Sequence, residues 1–144
     1  MATGNSPQPL IIHQSAGVRR KIRTVLISLG ITQMLEAEDA PQGLATLRGN
    51  LVNLVFCPWD AEGYPDGSLL REVRARKAQR FLPLIMLDDG MSPRDVVQAV
   101  KAGVAGRVSP GNELPALRQA LSQLLGELGF LPGGQGASRR PAVQ

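Results

Sequence analysis

The chain has 144 residues, with 16 Lys and Arg against 12 Asp and Glu and a net charge of +4. It is 43% hydrophobic but only 3% aromatic, which suits one domain with an aliphatic core. A single cysteine and a single histidine exclude an internal disulfide and a structural zinc site, and no stretch approaches the roughly 18 apolar residues of a membrane span.

Residues 1–8 (MATGNSPQ) are small, polar and proline-broken; they read as a flexible lead-in, without the apolar run of a signal peptide. Residues 9–129 then alternate short apolar runs with amphipathic segments. PLIIH at 9–13 is a buried strand. Val18, Ile22, Val25, Leu26 and Leu29 recur at helical spacing until Gly30 stops the helix. Residues 32–36 form a second strand. Asp39 caps a helix with Pro41 in its first turn and Leu44 and Leu47 on its apolar face. Residues 51–57 form a third strand, followed by a helix that begins at Leu69, Leu70 and Val73 and ends in a basic run. FLPLIML at 81–87 is a continuous apolar strand of the kind a sheet covered on both faces requires.

Ser92, Pro93 and Asp95 supply an N-cap, a first-turn proline and an acid that reaches back to the cap; Val96, Val97 and Val100 follow. Residues 106–108 make a fifth strand. Asn112 caps a last helix with Leu114, Leu117, Leu121, Leu124, Leu125 and Leu128 in one stripe. Residues 130–144 are rich in glycine and proline and read as a disordered tail or linker. Five strands alternating with five helices predict an α/β fold, a flavodoxin-like (βα)5 unit doubly wound about a five-stranded parallel sheet of order 2-1-3-4-5. Ligands in such folds bind beyond the carboxyl ends of the strands.

Several segments together carry a family resemblance. They are SAGVRRKI at 15–22, LG at 29–30 with EAEDA at 36–40, DGSLLREVR at 66–74, PLIML at 83–87 and AGVAGRV at 102–108. In order and spacing, across residues 9–128, they resemble the receiver domain of CheY-like response regulators. The resemblance implies a non-enzymatic bacterial signalling domain of the two-component type. Receivers hold magnesium with two acids after the first strand and phosphorylate an aspartate after the third. They bind the phosphate with a hydroxyl after the fourth and a lysine after the fifth.

Carried onto this chain, each of those positions has changed. The acid pair becomes His13 and Gln14, the phosphoacceptor becomes Pro58, the hydroxyl becomes Asp88, and the lysine becomes Ser109. The switch aromatic of the fifth strand becomes Arg107. Phosphoryl transfer depends on charges placed to position and neutralise the phosphate, so the resemblance implies a degenerate pseudo-receiver with no metal and no cofactor. Its expected action is phosphorylation-independent contact with a protein partner, a signalling protein or output domain, in the cytoplasm. The expected surface is the helix 4–strand 5–helix 5 face, with Arg107, Arg94, Gln98, Lys101, Arg118 and Gln119. Receivers often pair through this face, so a homodimer is compatible with it.

Other readings stay in view. Asp60 is an alternative, shifted phosphoacceptor, with Glu62, Asp66, Asp88 and Asp89 as an acidic cluster able to attract magnesium. His13 with Gln14, Asp88 and Ser109 has the ingredients of a catalytic triad, though a polar network filling an abandoned site is the plainer reading. Cys57 suits a small buried hydrophobe better than a redox sensor. The loop 13–17 bears a weak likeness to a flavin phosphate loop. The runs Arg19, Arg20, Lys21, Arg23 and Arg71, Arg74, Arg76, Lys77, Arg80 invite a cyclic dinucleotide or another small anionic effector. Without aromatics among the bases, nucleic acid is disfavoured.

Overall fold

The computed structural model describes residues 8–131. Five strands, β1 (Gln8–Ile12), β2 (Leu35–Ala37), β3 (Val52–Pro58), β4 (Leu84–Leu87) and β5 (Gly106–Val108), alternate with five helices. These are α1 (Ala16–Ser28), α2 (Ala40–Gly49), α3 (Ser68–Ala75), α4 (Pro93–Lys101) and α5 (Leu114–Leu128). All pairings are parallel and the order is β2-β1-β3-β4-β5, as the alternation predicted.

Side chains on a strand point alternately to opposite faces, and here both faces are covered. Leu10, Ile12, Val55, Cys57, Leu84 and Met86 pack with Leu44, Leu47, Leu69, Val73 and Ala99 on the α2–α3–α4 side. Ile11, Leu54, Phe56, Ile85 and Leu87 pack with Ile22, Leu26, Leu117, Leu121 and Leu125 on the α1–α5 side. Burying one such side chain contributes about 1.5–3 kcal/mol, so these two layers supply the drive to fold. Ser92 and Asp95 form the expected capping box, and Asp39 caps α2 by accepting the Gln42 N–H.

Several boundaries differ from the sequence expectation: the first and third strands are displaced by one residue, to 8–12 and 52–58, and the other differences have local causes. The second strand occupies 35–37 rather than 32–36. Gly30, at φ 93°, turns the chain so that the Ile31 N–H donates to the Leu26 carbonyl, and Ile31 and Met34 pack on the α1–α5 layer before pairing begins. The fourth strand starts at Leu84 rather than 81. Pro83 has no N–H to give the ladder, although its carbonyl accepts the Val55 N–H, and Phe81 is 87% exposed. The last helix is capped at Glu113 without a side-chain bond, and the Asn112 N–H closes a turn on the Ser109 carbonyl. At the ends, Gln8 opens β1, while Phe130 and Leu131 pack on the α1–α5 layer after Gly129 lets the Phe130 N–H reach Leu125. The rest of the expected lead-in (1–7) and tail (132–144) lies outside the described residues.

The loop between β3 and α3 closes on Trp59, which is only 4% exposed. The Gly67 N–H donates to the Trp59 carbonyl at 2.9 Å. Gly67 sits at φ 77°, and a Cβ there would stand 2.5 Å from the indole ring. Gly63 has a similar φ of 82° but open space around it. Gly63→Ala therefore costs about 1–2 kcal/mol for the left-handed backbone alone. Gly67→Ala adds a packing clash and costs about 2–4 kcal/mol. Urea unfolding of the two variants separates these terms, and equal midpoints would show that Trp59 does not press on Gly67.

Candidate functional site

Four strand ends converge where a ligand would bind in this architecture. Pro58 completes β3 and pairs with Leu87 of β4. His13 follows β1, Asp88 and Asp89 follow β4, and Ser109 follows β5. The sequence reading put His13, Pro58, Asp88 and Ser109 at strand ends, where they lie, and gave Asp89 only to an acidic cluster around Asp60. What the structure adds is how they pair.

His13 is buried, at 7% exposure. The Ser15 N–H donates to its Nδ1 at 3.0 Å, which leaves the ring proton on Nε2, and that atom lies 2.9 Å from Asp89 Oδ2. The partner is thus Asp89, not the Asp88 that a triad would use. Both ring nitrogens are committed, and none of these contacts involves Ser109. Gln14 is exposed.

Asp88 is turned to β5 instead. Its Oδ1 accepts the N–H groups of Gly90 (2.9 Å) and Met91 (2.7 Å), and its Oδ2 accepts from the Arg107 guanidinium at 2.7 Å. Burial alone would raise the Asp88 pKa, but the two backbone donors and Arg107 outweigh it and hold the carboxyl below its ordinary range. Register explains the pair. Arg107 is aligned with Met86, so residues 86, 88 and 107 share one face of the sheet. The Asp88 N–H also extends the ladder to the Val108 carbonyl at 2.8 Å. Two positions that the sequence treated separately are one ion pair.

The remaining acids do not gather. Asp60 is exposed and its Oδ1 accepts the Asp66 N–H at 2.6 Å, closing its own loop. Among the described residues, no three of His, Cys, Asp and Glu could hold a metal ion together. Magnesium takes oxygen ligands in near-octahedral geometry. An imidazole committed at both nitrogens and a proline do not fit that ion.

The basic runs are largely structural. Arg19 and Arg23 grip the two oxygens of Glu36 at 3.2 and 2.8 Å, Arg19 also donates to the His13 carbonyl, and Lys21 donates to the Pro110 carbonyl. Arg71 donates to the Asp66 carbonyl, and Arg74 to those of Leu82 and Gly103. In the 13–17 loop, Ser15 is spent on capping α1 and on His13. Trp59 is buried rather than free to stack on a flavin. Cys57 is fully buried, and desolvation pushes its thiol up to about 12, so it carries no thiolate at neutral pH.

On the expected partner face, Arg94, Gln98 and Lys101 of α4 and Gln119 of α5 are exposed. Arg118 is exposed too, but its side chain is turned to α1. Its guanidinium donates to the Ser28 hydroxyl at 3.0 Å and the Ser28 carbonyl at 3.3 Å, tying α5 to the end of α1. The sequence also counted Val97 and Val100 as apolar helix positions. Only Ala99 of α4 is buried, and Val97 and Val100 are 50% and 65% exposed. Plotting α4 at 100° per residue would have separated them from Ala99.

No protein-family model matches the chain. The chemotaxis protein CheY of Pseudomonas aeruginosa is 28% identical over 115 residues, which cover 80% of this chain and 93% of that protein. CheY-3 of Vibrio cholerae is 25% identical over 119 residues, covering 83% and 92%. Among solved structures, Vibrio cholerae CheY4 aligns with a TM-score of 0.71 at 18% identity, covering 83% of this chain and 98% of that one. This is a CheY-like receiver fold. The receiver domain of a Syntrophus aciditrophicus signal transduction histidine kinase shares it, with a TM-score of 0.69 at 18% identity and coverage of 89% and 96%. Within this receiver fold, the strand-end positions hold His13, Gln14, Pro58, Asp88 and Ser109.

The Asp88 environment has a pH signature. A carboxyl whose folded pKa is depressed contributes stability above its unfolded value of about 3.9 and loses it as pH falls through the folded value. Arg107→Gln removes one of the groups that depress it. That variant loses about 0.5–1 kcal/mol at neutral pH, and its acid-side loss is smaller than the wild type's and is complete at higher pH. Asp88→Asn flattens the acid limb. Thermal melts across the acid range measure both, and superimposable profiles for wild type and Arg107→Gln would contradict the pairing.

Proposed function

We propose that this chain is a pseudo-receiver: a non-enzymatic signalling domain that acts by protein–protein contact, independently of aspartyl phosphorylation. The observation that carries this reading is the lack of a nucleophile at the end of β3. Pro58 completes the strand, and Asp60, two residues on, is turned to the Asp66 N–H of its own loop.

The Arg107–Asp88 pair supports the reading from a second side. In receivers, the hydroxyl and aromatic positions relay phosphorylation to the α4–β5–α5 face by shifting a two-state equilibrium. Here the corresponding residues are bound directly to each other, and Asp88 is further held by Gly90 and Met91. That arrangement favours one state without a phosphoryl group. A carboxylate at 88 also opposes an incoming phosphate, whereas a hydroxyl would donate to it.

The contact surface in this account is the exposed flank of α4 with β5 and α5. Arg94, Gln98, Lys101 and Gln119 supply polar contacts, and Val97 and Val100 supply apolar area. Its occupant is a signalling protein or output domain of a two-component pathway in the cytoplasm, and the same face is available for homodimer formation. No observation favours the alternatives as strongly, since Asp60 and most of the clustered arginines have structural partners.

Incubation with acetyl phosphate and magnesium, followed by intact-mass measurement, tests the proposal. The expected result is no phosphoryl adduct on the wild-type chain. An adduct that disappears in Asp60→Ala would sink it.

A further inference from the structure

The far end of the sheet, at the amino termini of the strands, carries a feature that the reading above does not use. Phe81 is 87% exposed, the most exposed of the large hydrophobic side chains among the described residues. It precedes β4, and Leu51, 56% exposed, precedes the neighbouring strand β3. The two apolar residues therefore sit at the same edge.

Cations surround them. The segment 74–80 (RARKAQR) holds four bases and no acid. Arg74 is used inside the fold, but among the described residues no salt bridge engages Arg76, Lys77 or Arg80. Arg80 lies over the Phe81 ring, 5.9 Å from its centroid, and Arg48 lies in the last turn of α2, three residues before Leu51. The carboxyl-terminal part of α5 reaches this end as well, because Leu124 packs against Gly106 at the start of β5.

We propose that this end docks on an anionic membrane surface, with Phe81 and Leu51 entering the headgroup region and Arg76, Lys77 and Arg80 meeting lipid phosphates. Shape and charge select that occupant. An almost fully exposed phenylalanine is a protrusion, not a groove, and a soft interface accepts a protrusion where a rigid peptide has no pocket to fill. Cations near a negative leaflet add to such insertion, each raising partitioning about fivefold. One aromatic is too few for a stacking platform on single-stranded nucleic acid. The patch lies at the opposite end of the sheet from Asp88 and Arg107, so it stands independently of the pseudo-receiver reading.

Co-sedimentation of the full chain with sonicated vesicles tests the proposal. Binding is expected to phosphatidylcholine vesicles containing phosphatidylglycerol, not to phosphatidylcholine alone, and it falls as salt shortens the screening length from about 10 Å to about 3 Å. Phe81→Ser weakens binding about tenfold, and Arg80→Glu, which changes two charge units, about 30-fold. Arg20→Glu makes the same charge change at the other end of the sheet and leaves binding intact. All three positions are exposed, and circular dichroism checks that each variant folds. No sedimentation, equal binding to neutral vesicles, or an Arg20→Glu loss as large as that of Arg80→Glu overturns the proposal. Binding of polyuridylate without binding of vesicles assigns the patch to RNA and overturns it too.

Discussion

Asp88 ties three parts of the carboxyl end of the sheet together. One oxygen takes two backbone N–H groups of the loop leading to α4, and the other takes the Arg107 guanidinium from the edge strand β5. A carboxylate with three donors is satisfied in a way that water would have to match on both sides if the site opened. The next residue, Asp89, reaches the other way to His13 after β1. Two adjacent acids thus bridge β4 to both sides of the sheet, across the crevice where this architecture places ligands.

Pro58 fits this arrangement. It gives the third strand no polar side chain at its end. Cys57 before it is packed among aliphatic side chains, with its thiol kept neutral by burial. The middle of the crevice is therefore apolar, and its flanks are closed by the two acid–base contacts. On the reading proposed above, this site has given up chemistry that needs a metal and a nucleophile. A surface that displays one conformation to a partner needs neither.

Much of this was legible in the chain. The alternation of apolar runs and helical stripes predicted the five strands, the five α-helices and the strand order, because a sheet covered on both faces leaves a strong pattern. Ser92 and Asp39 announced their helices correctly because a cap is a local, four-residue event. The errors lie where a backbone group is spent on something local. Pro83 delays β4, Asn112 closes a turn instead of capping α5, and Gly30 shifts β2. The site residues were legible as positions but not as pairs. Arg107 with Asp88, His13 with Asp89 and Arg118 with Ser28 are all set by three-dimensional register, which a linear pattern encodes only through parity.

Parity did carry the decisive contact once β4 and β5 were aligned, since residues 86, 88 and 107 fall on one face. The account therefore rests on whether that contact keeps the site closed to a phosphoryl group. Beryllofluoride, a phosphoryl analogue, added with magnesium while backbone amide resonances are followed by NMR, addresses this most directly. The account predicts no saturable shifts at Trp59, Asp88, Asp89, Arg107, Val108 or Ser109. Saturable, magnesium-dependent shifts at those amides, spreading to α4, would contradict it.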